Sequence, residues 1–172
     1  MNSDKVELII IEKQMGRRPR GTLSVVNRCD KQVSTVIVTH PLLESRPFPT
    51  LYYLTCPFLV KEVSKLEESG LILGLQRLLA ADEALQRDFF RAQNSYREKR
   101  FSLLSPKERS KLDPSGAKVL KKNGIAGVKN LSQIKCLHAH YAHFLASGDN
   151  PVGEKVHQGL NKKKCPKDCW IC

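Results

Sequence analysis

"TLYYLTCPFLVKEVSKLEESG", residues 50–70, changes its periodicity partway along. Up to Thr55 it is short and rich in aromatic and β-branched residues, which suits a strand. From Pro57 onward Phe58, Leu59, Val63 and Leu66 share one helical arc, Pro57 fits the first turn, and "ESG" at 68–70 supplies a stop. A strand that runs straight into a helix at Cys56 marks the boundary between two kinds of chain.

Before that boundary the chain reads mainly as strand and turn. Asp4 to Gln14 predicts a short helix, capped by Ser3 or Asp4 and ended by the turn "GRRPRG" at 16–21. "TLSVVNRC" and "STVIVTH", separated by "DKQ", predict a hairpin, and "HPLLESRPFP" predicts a proline-punctuated loop. After it the pattern is helical. "LILGLQRLLA" predicts one helix, and the run from Asp82 predicts a long one with Leu85, Phe89, Ala92 and Tyr96 as its core stripe. "SPKERSKLDPSG" reads as a mobile or short helical connection and "GDNPVG" as a turn. The expected architecture is α+β: a small antiparallel sheet of about three strands packed against several helices. Residues 1–155 are expected to form one domain, and residues 156–172 a basic, cysteine-rich C-terminal tail.

The totals bound the function. At 172 residues the chain suits one domain. No apolar run approaches the roughly 20 residues that cross a bilayer, and "VELIII" lacks a cleavage site for export. A soluble cytoplasmic protein with reduced thiols is the expectation. A net charge of +12 favours an anionic partner: nucleic acid, polyphosphate or an acidic protein. Arg17, Arg18 and Arg20, gathered in one turn, are the expected anion-binding residues. Residues 97–122, with nine lysines or arginines against three acids, read as solvated surface.

"KCLHAHYAHFL", residues 135–145, concentrates potential metal ligands. On a helix, at about 100° per residue, Cys136, His140 and His143 share an arc and His138 falls away. A thiol and two imidazoles suit zinc, with a remote cysteine completing the set. The same spacing equally suits a boundary helix whose histidines face water or bond locally. Cys56, at the positive end of the helix after Pro57, reads as ligand, nucleophile or buried thiol. "CPKDCWIC" has spacing that can hold an iron–sulfur cluster, although a solvated tail or a cysteine folding back fits its position better. "NGIAGVKNL" is faintly similar to the hairpin of helix-hairpin-helix DNA binders, and reads otherwise as a turn with Gly124 and Gly127 at positive φ. There is no Walker loop, GxSxG, HExxH or carboxylate pair, so no catalytic residue is assigned.

Taken in order, "QMGRRPRG", "NRC", "PFPTLYYLTCP", "GIAGV", "KCLH" and "GDNPVG" resemble the bacterial domain of unknown function family 501 across roughly residues 5–155. The resemblance implies a site built from Cys29, Cys56, Cys136, His138 and His143, with His140 variable. It implies no established activity, and only by association a link to phosphate metabolism or the cell envelope. Joint use of Cys136 and His138 implies a helix that starts near His138, with Cys136 reaching in from a loop and Cys56 or Cys29 as the remaining ligand. Zinc is the expected occupant. Four protein ligands would make the site structural. An open fourth position would make the protein a metal-dependent phosphoester hydrolase, with the three arginines holding the anion. The rival expectations are a nucleic-acid or polyanion-binding module without metal, and a partner-organising protein that associates through the helix from Asp82.

Overall fold

A computed structural model describes residues 3–166. α1 (Ser3–Met15) leads into β1 (Thr22–Arg28) and β2 (Ser34–Thr39). A two-residue pair, β3 (Leu42–Leu43) and β4 (Arg46–Pro47), precedes β5 (Tyr52–Leu54). The side chains of Ser3 and Asp4, the expected caps of α1, lie outside the described residues. β1, β2 and β5 form one antiparallel sheet in the order β1-β2-β5. The "HPLLESRPFP" stretch differs from a plain loop. Glu44 and Ser45 both have positive φ (50° and 65°), the requirement of a tight hairpin turn, and so pair β3 with β4.

Side chains alternate along the strands. Val36, Val38, Tyr52 and Leu54 enter the core. Ile37, Thr39 and Tyr53 take the opposite face, where they line a cavity beneath the turn that follows α1.

The helical part begins with α2 (Pro57–Glu68), α3 (Leu71–Ala81) and α4 (Glu83–Ser102). Asp82 caps α4 by accepting from the Leu85 amide at 3.0 Å, and Phe89, Ala92 and Tyr96 are buried along it. α5 (Pro106–Lys111) and α6 (Pro114–Lys122) follow, and both start with proline at the first turn behind a capping Ser105 or Asp113. Arg100 departs from the solvated surface expected of this basic stretch. It is fully buried beneath the Tyr96 ring, where it donates to the carbonyls of Pro49 (2.7 Å) and Leu120 (3.0 Å).

α7 (Leu137–Ser147) and α8 (Pro151–Gly159) close the fold as a helical hairpin. α7 lies against β5 and α2. Gly153 faces the carbonyl of His140 and Cβ of Phe144 so closely that a side chain there would collide, which sets how near α8 approaches α7. "GDNPVG" is more than a turn, because Asn150 caps α8 from its side-chain oxygen and Pro151 occupies the first turn. The core also reaches past residue 155, with Val156 and Leu160 buried.

"NGIAGV" forms a short 3-10 turn in which Gly127 has positive φ (72°) and Gly124 does not (φ −82°). Gly124 is required instead for space, since a Cβ would strike the Gln93 side chain. The Ile125 amide donates to Gln93 Oε1 at 2.7 Å and those of Gly127 and Val128 bond within the turn, so they are not presented to a phosphate.

No helix among the described residues is long and apolar enough to cross a membrane.

Candidate metal centre

Cys136 is the extended residue immediately before α7 (φ −147°, ψ 116°), and His138 stands in the first turn of that helix. The last turn of α2 brings Glu67 against them. Cys136 Sγ lies 3.9 Å from His138 Nδ1, and Glu67 Oε1 lies 3.3 Å from the same nitrogen. All three donor atoms fall within 4.8 Å of one another, a group that could hold a metal ion. A tetrahedral zinc with bonds of about 2.0–2.3 Å separates its donors by roughly 3.3–3.8 Å, so little movement would close this set around an ion.

Two of the three donors are held from behind. His138 Nε2 lies 3.1 Å from the Val60 carbonyl and 3.3 Å from Ser64 Oγ. With its hydrogen on Nε2 and donated to that carbonyl, the ring turns the Nδ1 lone pair toward Cys136 and Glu67. Glu67 Oε1 accepts from the Leu137 amide at 2.6 Å, one of the unpaired donors at the positive end of α7. The His138 pKa is pushed up to about 9, chiefly by its hydrogen bond with Cys136. The Val60 carbonyl and the Glu67 charge add to the shift, and burial opposes it. Surroundings that hold a proton on Nδ1 this firmly favour a cation in the same place.

The geometry separates a ligand set from a nucleophile relay. In a relay the thiol addresses one ring nitrogen and the orienting carboxylate the other. Here the thiol and the carboxylate both address Nδ1, and Nε2 is committed to the Val60 carbonyl and Ser64. The His138 and Glu67 side chains are 24% and 28% exposed, so solvent reaches the group.

The other expected ligands lie elsewhere. His143 is about 140° around α7 from His138, buried with His140 against Tyr52, Tyr96 and Phe89. Asn150 Nδ2 donates to both Nδ1 atoms, at 3.2 Å to His140 and 3.1 Å to His143. Its orientation is fixed because Oδ1 must accept the Gly153 amide at 2.9 Å. Burial pulls the His140 pKa down to about 3 and that of His143 to about 4. Among the described residues, His140 Nε2 is buried without a hydrogen-bond partner.

Cys56 is buried at the start of α2 and, with Cys29 and Cys165, lines a cavity of about 610 Å³ beside Phe58, Leu59 and Tyr141. Among the described residues, neither Cys56 nor Cys29 belongs to the three-donor group. Cys169 and Cys172 lie outside the described residues. Arg17, Arg18 and Arg20 line a separate cavity of about 1040 Å³ in the company of Arg46.

Glu67 was not foreseen from the sequence. The available signal was energetic: Glu67 and Glu68 close α2 at the end where the helix dipole disfavours acids.

The fold and this centre define a basic α+β protein with a thiol, an imidazole and a carboxylate placed to receive a cation. The chain belongs to the family described as protein of unknown function (DUF501), whose model matches residues 25–158. That span includes Glu67, Cys136 and His138 and ends before Cys165; Arg17, Arg18 and Arg20 precede it. No curated protein and no solved structure matches the chain.

Proposed function

We propose that this is a zinc-binding protein whose centre is Glu67, Cys136 and His138, and whose basic surface engages an anionic partner. One observation carries the metal reading: a thiol and a carboxylate converge on one nitrogen of His138 while its other nitrogen is occupied by a carbonyl. The mixture of soft, borderline and hard donors suits zinc better than calcium or magnesium, which prefer oxygen alone. A ligating thiolate persists where thiols stay reduced, which supports a cytoplasmic setting.

The test is zinc titration of the reduced protein against a chromophoric chelator, with elemental analysis. The expected result is roughly one zinc per chain, with affinity lowered about 100-fold or more in Cys136→Ser, His138→Ala and Glu67→Gln. Cys29→Ala and Cys56→Ala should bind as the parent does. Undiminished zinc in the three centre variants, or none in the parent, ends the proposal.

A second reading is supported by the partly exposed position of the centre. Three protein ligands leave room for a bound water, which zinc ionises near neutral pH, so a phosphoester hydrolase is the enzyme this geometry would serve. Zinc-dependent turnover of a generic phosphoester, lost in Cys136→Ser, would support it.

A further inference from the structure

The sheet face that the core does not use forms the floor of the larger cavity. Ile37, Thr39 and Tyr53 lie there, with Phe48 beside them. The Phe48 and Tyr53 rings are nearly parallel, with centroids 6.1 Å apart and planes 14° apart. The rim has two parts: the turn after α1, carrying Arg17, Arg18 and Arg20, and the β3–β4 hairpin, carrying Arg46. The two parts are built against each other. The His40 amide donates to the Gly21 carbonyl at 2.7 Å, and Gly21, at φ 61°, has no side chain to hold Leu43 away.

The charges on this rim are not neutralised internally. Arg17 stacks over the Tyr53 ring, 5.8 Å from its centroid. Among the described residues, none of these four guanidiniums has a hydrogen-bond or ion-pair partner, and Glu44 is the one acid in the lining. Elsewhere in the molecule arginines do find partners, as Arg28 does in Glu7 and Arg91 in Asp88. Four unpaired forks around a concave wall attract an anion. A bare phosphate, however, has no use for an aromatic floor. A planar ring with phosphates attached uses both, because every base has a face to stack and guanidinium forks match phosphate oxygens.

We propose that this cavity binds a nucleoside phosphate, its base against Phe48 and Tyr53, with Arg17 yielding the Tyr53 face and joining Arg18, Arg20 and Arg46 on the phosphates. The proposal rests on the anionic-partner half of the function proposed above and is independent of the metal centre. The nucleoside phosphate is either a free nucleotide or one unit of a single-stranded nucleic acid, and the two sources differ in what competes.

The experiment measures anisotropy of a short fluorescein-labelled single-stranded oligonucleotide with the full-length protein. A nucleoside 5′-diphosphate and inorganic triphosphate serve as unlabelled competitors. Arg17→Ala and Arg46→Ala should each weaken binding about tenfold, and each should lower the salt slope by about 0.7 for a strand. Tyr53→Ala should weaken binding tenfold or more, with Tyr53→Phe close to the parent. Phe48→Ala serves as the second aromatic variant should Tyr53→Ala fail to fold by circular dichroism. Competition by the diphosphate at concentrations near those of the strand assigns a free nucleotide, and a strong preference for the strand assigns nucleic acid; either outcome supports the proposal. If inorganic triphosphate competes as well as the diphosphate and the aromatic variants bind like the parent, base recognition is wrong while an anionic partner stands. If nothing binds, or the arginine variants bind unchanged, both readings fall.

Discussion

His138 and the pair His140 and His143 sit within one and a half turns of the same helix and have opposite chemistry. His138 meets a thiol, a carboxylate and a carbonyl, and its pKa is pushed up to about 9. His140 and His143 meet aromatic rings and an amide donor, and theirs are pulled down to about 3 and 4. The first face of α7 holds positive charge and the second excludes it. Residue type therefore says little about which histidines of a cluster can share an ion; the groups supplied by α2, β5, α4 and α8 decide it.

The largest test of this contrast is Asn150→Ala. It strands two buried ring nitrogens and removes the cap of α8, so stability in urea should fall by roughly 3 kcal/mol or more. A loss under 1 kcal/mol would mean that the buried pair does not depend on that amide.

Next is pH, with metal removed by chelation. The folded pKa of His138 lies above the ordinary 6.5, so its contribution is complete below pH about 6.5 and is lost as pH climbs toward about 9. With its side chain 24% exposed, that contribution is on the order of 1 kcal/mol. His140 and His143 lie below 6.5, so theirs is complete above that value and is lost as pH falls toward 4 and then 3. Denaturation midpoints across pH should thus decline on both sides, and His138→Gln should flatten the alkaline limb only. NMR should show His138 titrating near 9 while the other two remain neutral above pH 5. Zinc must displace the His138 proton, so apparent affinity should climb about tenfold per pH unit on this account up to about 9.

The smallest effect belongs to Ser64→Ala. It removes one of two groups facing His138 Nε2 and leaves the Val60 carbonyl in place, so stability should change by about 0.5 kcal/mol or less. Calorimetry showing a loss several times larger would make the hydroxyl, not the carbonyl, the group that fixes the ring.

What could be read without coordinates was local. The change of period at Cys56 gave the switch from sheet to helix, and the stripe Phe89, Ala92, Tyr96 gave the buried face of α4. The start of α7 was legible from the requirement that Cys136 and His138 act together. α8 was hidden because Asn-Pro reads as a turn as readily as a cap followed by a first helical residue. Glu67 was hidden for a different reason: it meets His138 across 70 intervening positions of chain, and no periodicity within α2 encodes what α7 will bring to it. Arg100 likewise looked like one cation in a basic run, since only the carbonyls of Pro49 and Leu120 give it a buried home.

That arginine has a consequence for the arginine-rimmed cavity. Its grip on the Pro49 carbonyl, joined by the Tyr96 hydroxyl accepting the Leu51 amide at 2.7 Å, anchors the strand-linking segment just beyond Arg46 and Phe48. A visitor to the cavity would meet a wall already set in shape, so little ordering entropy would be spent on arrival.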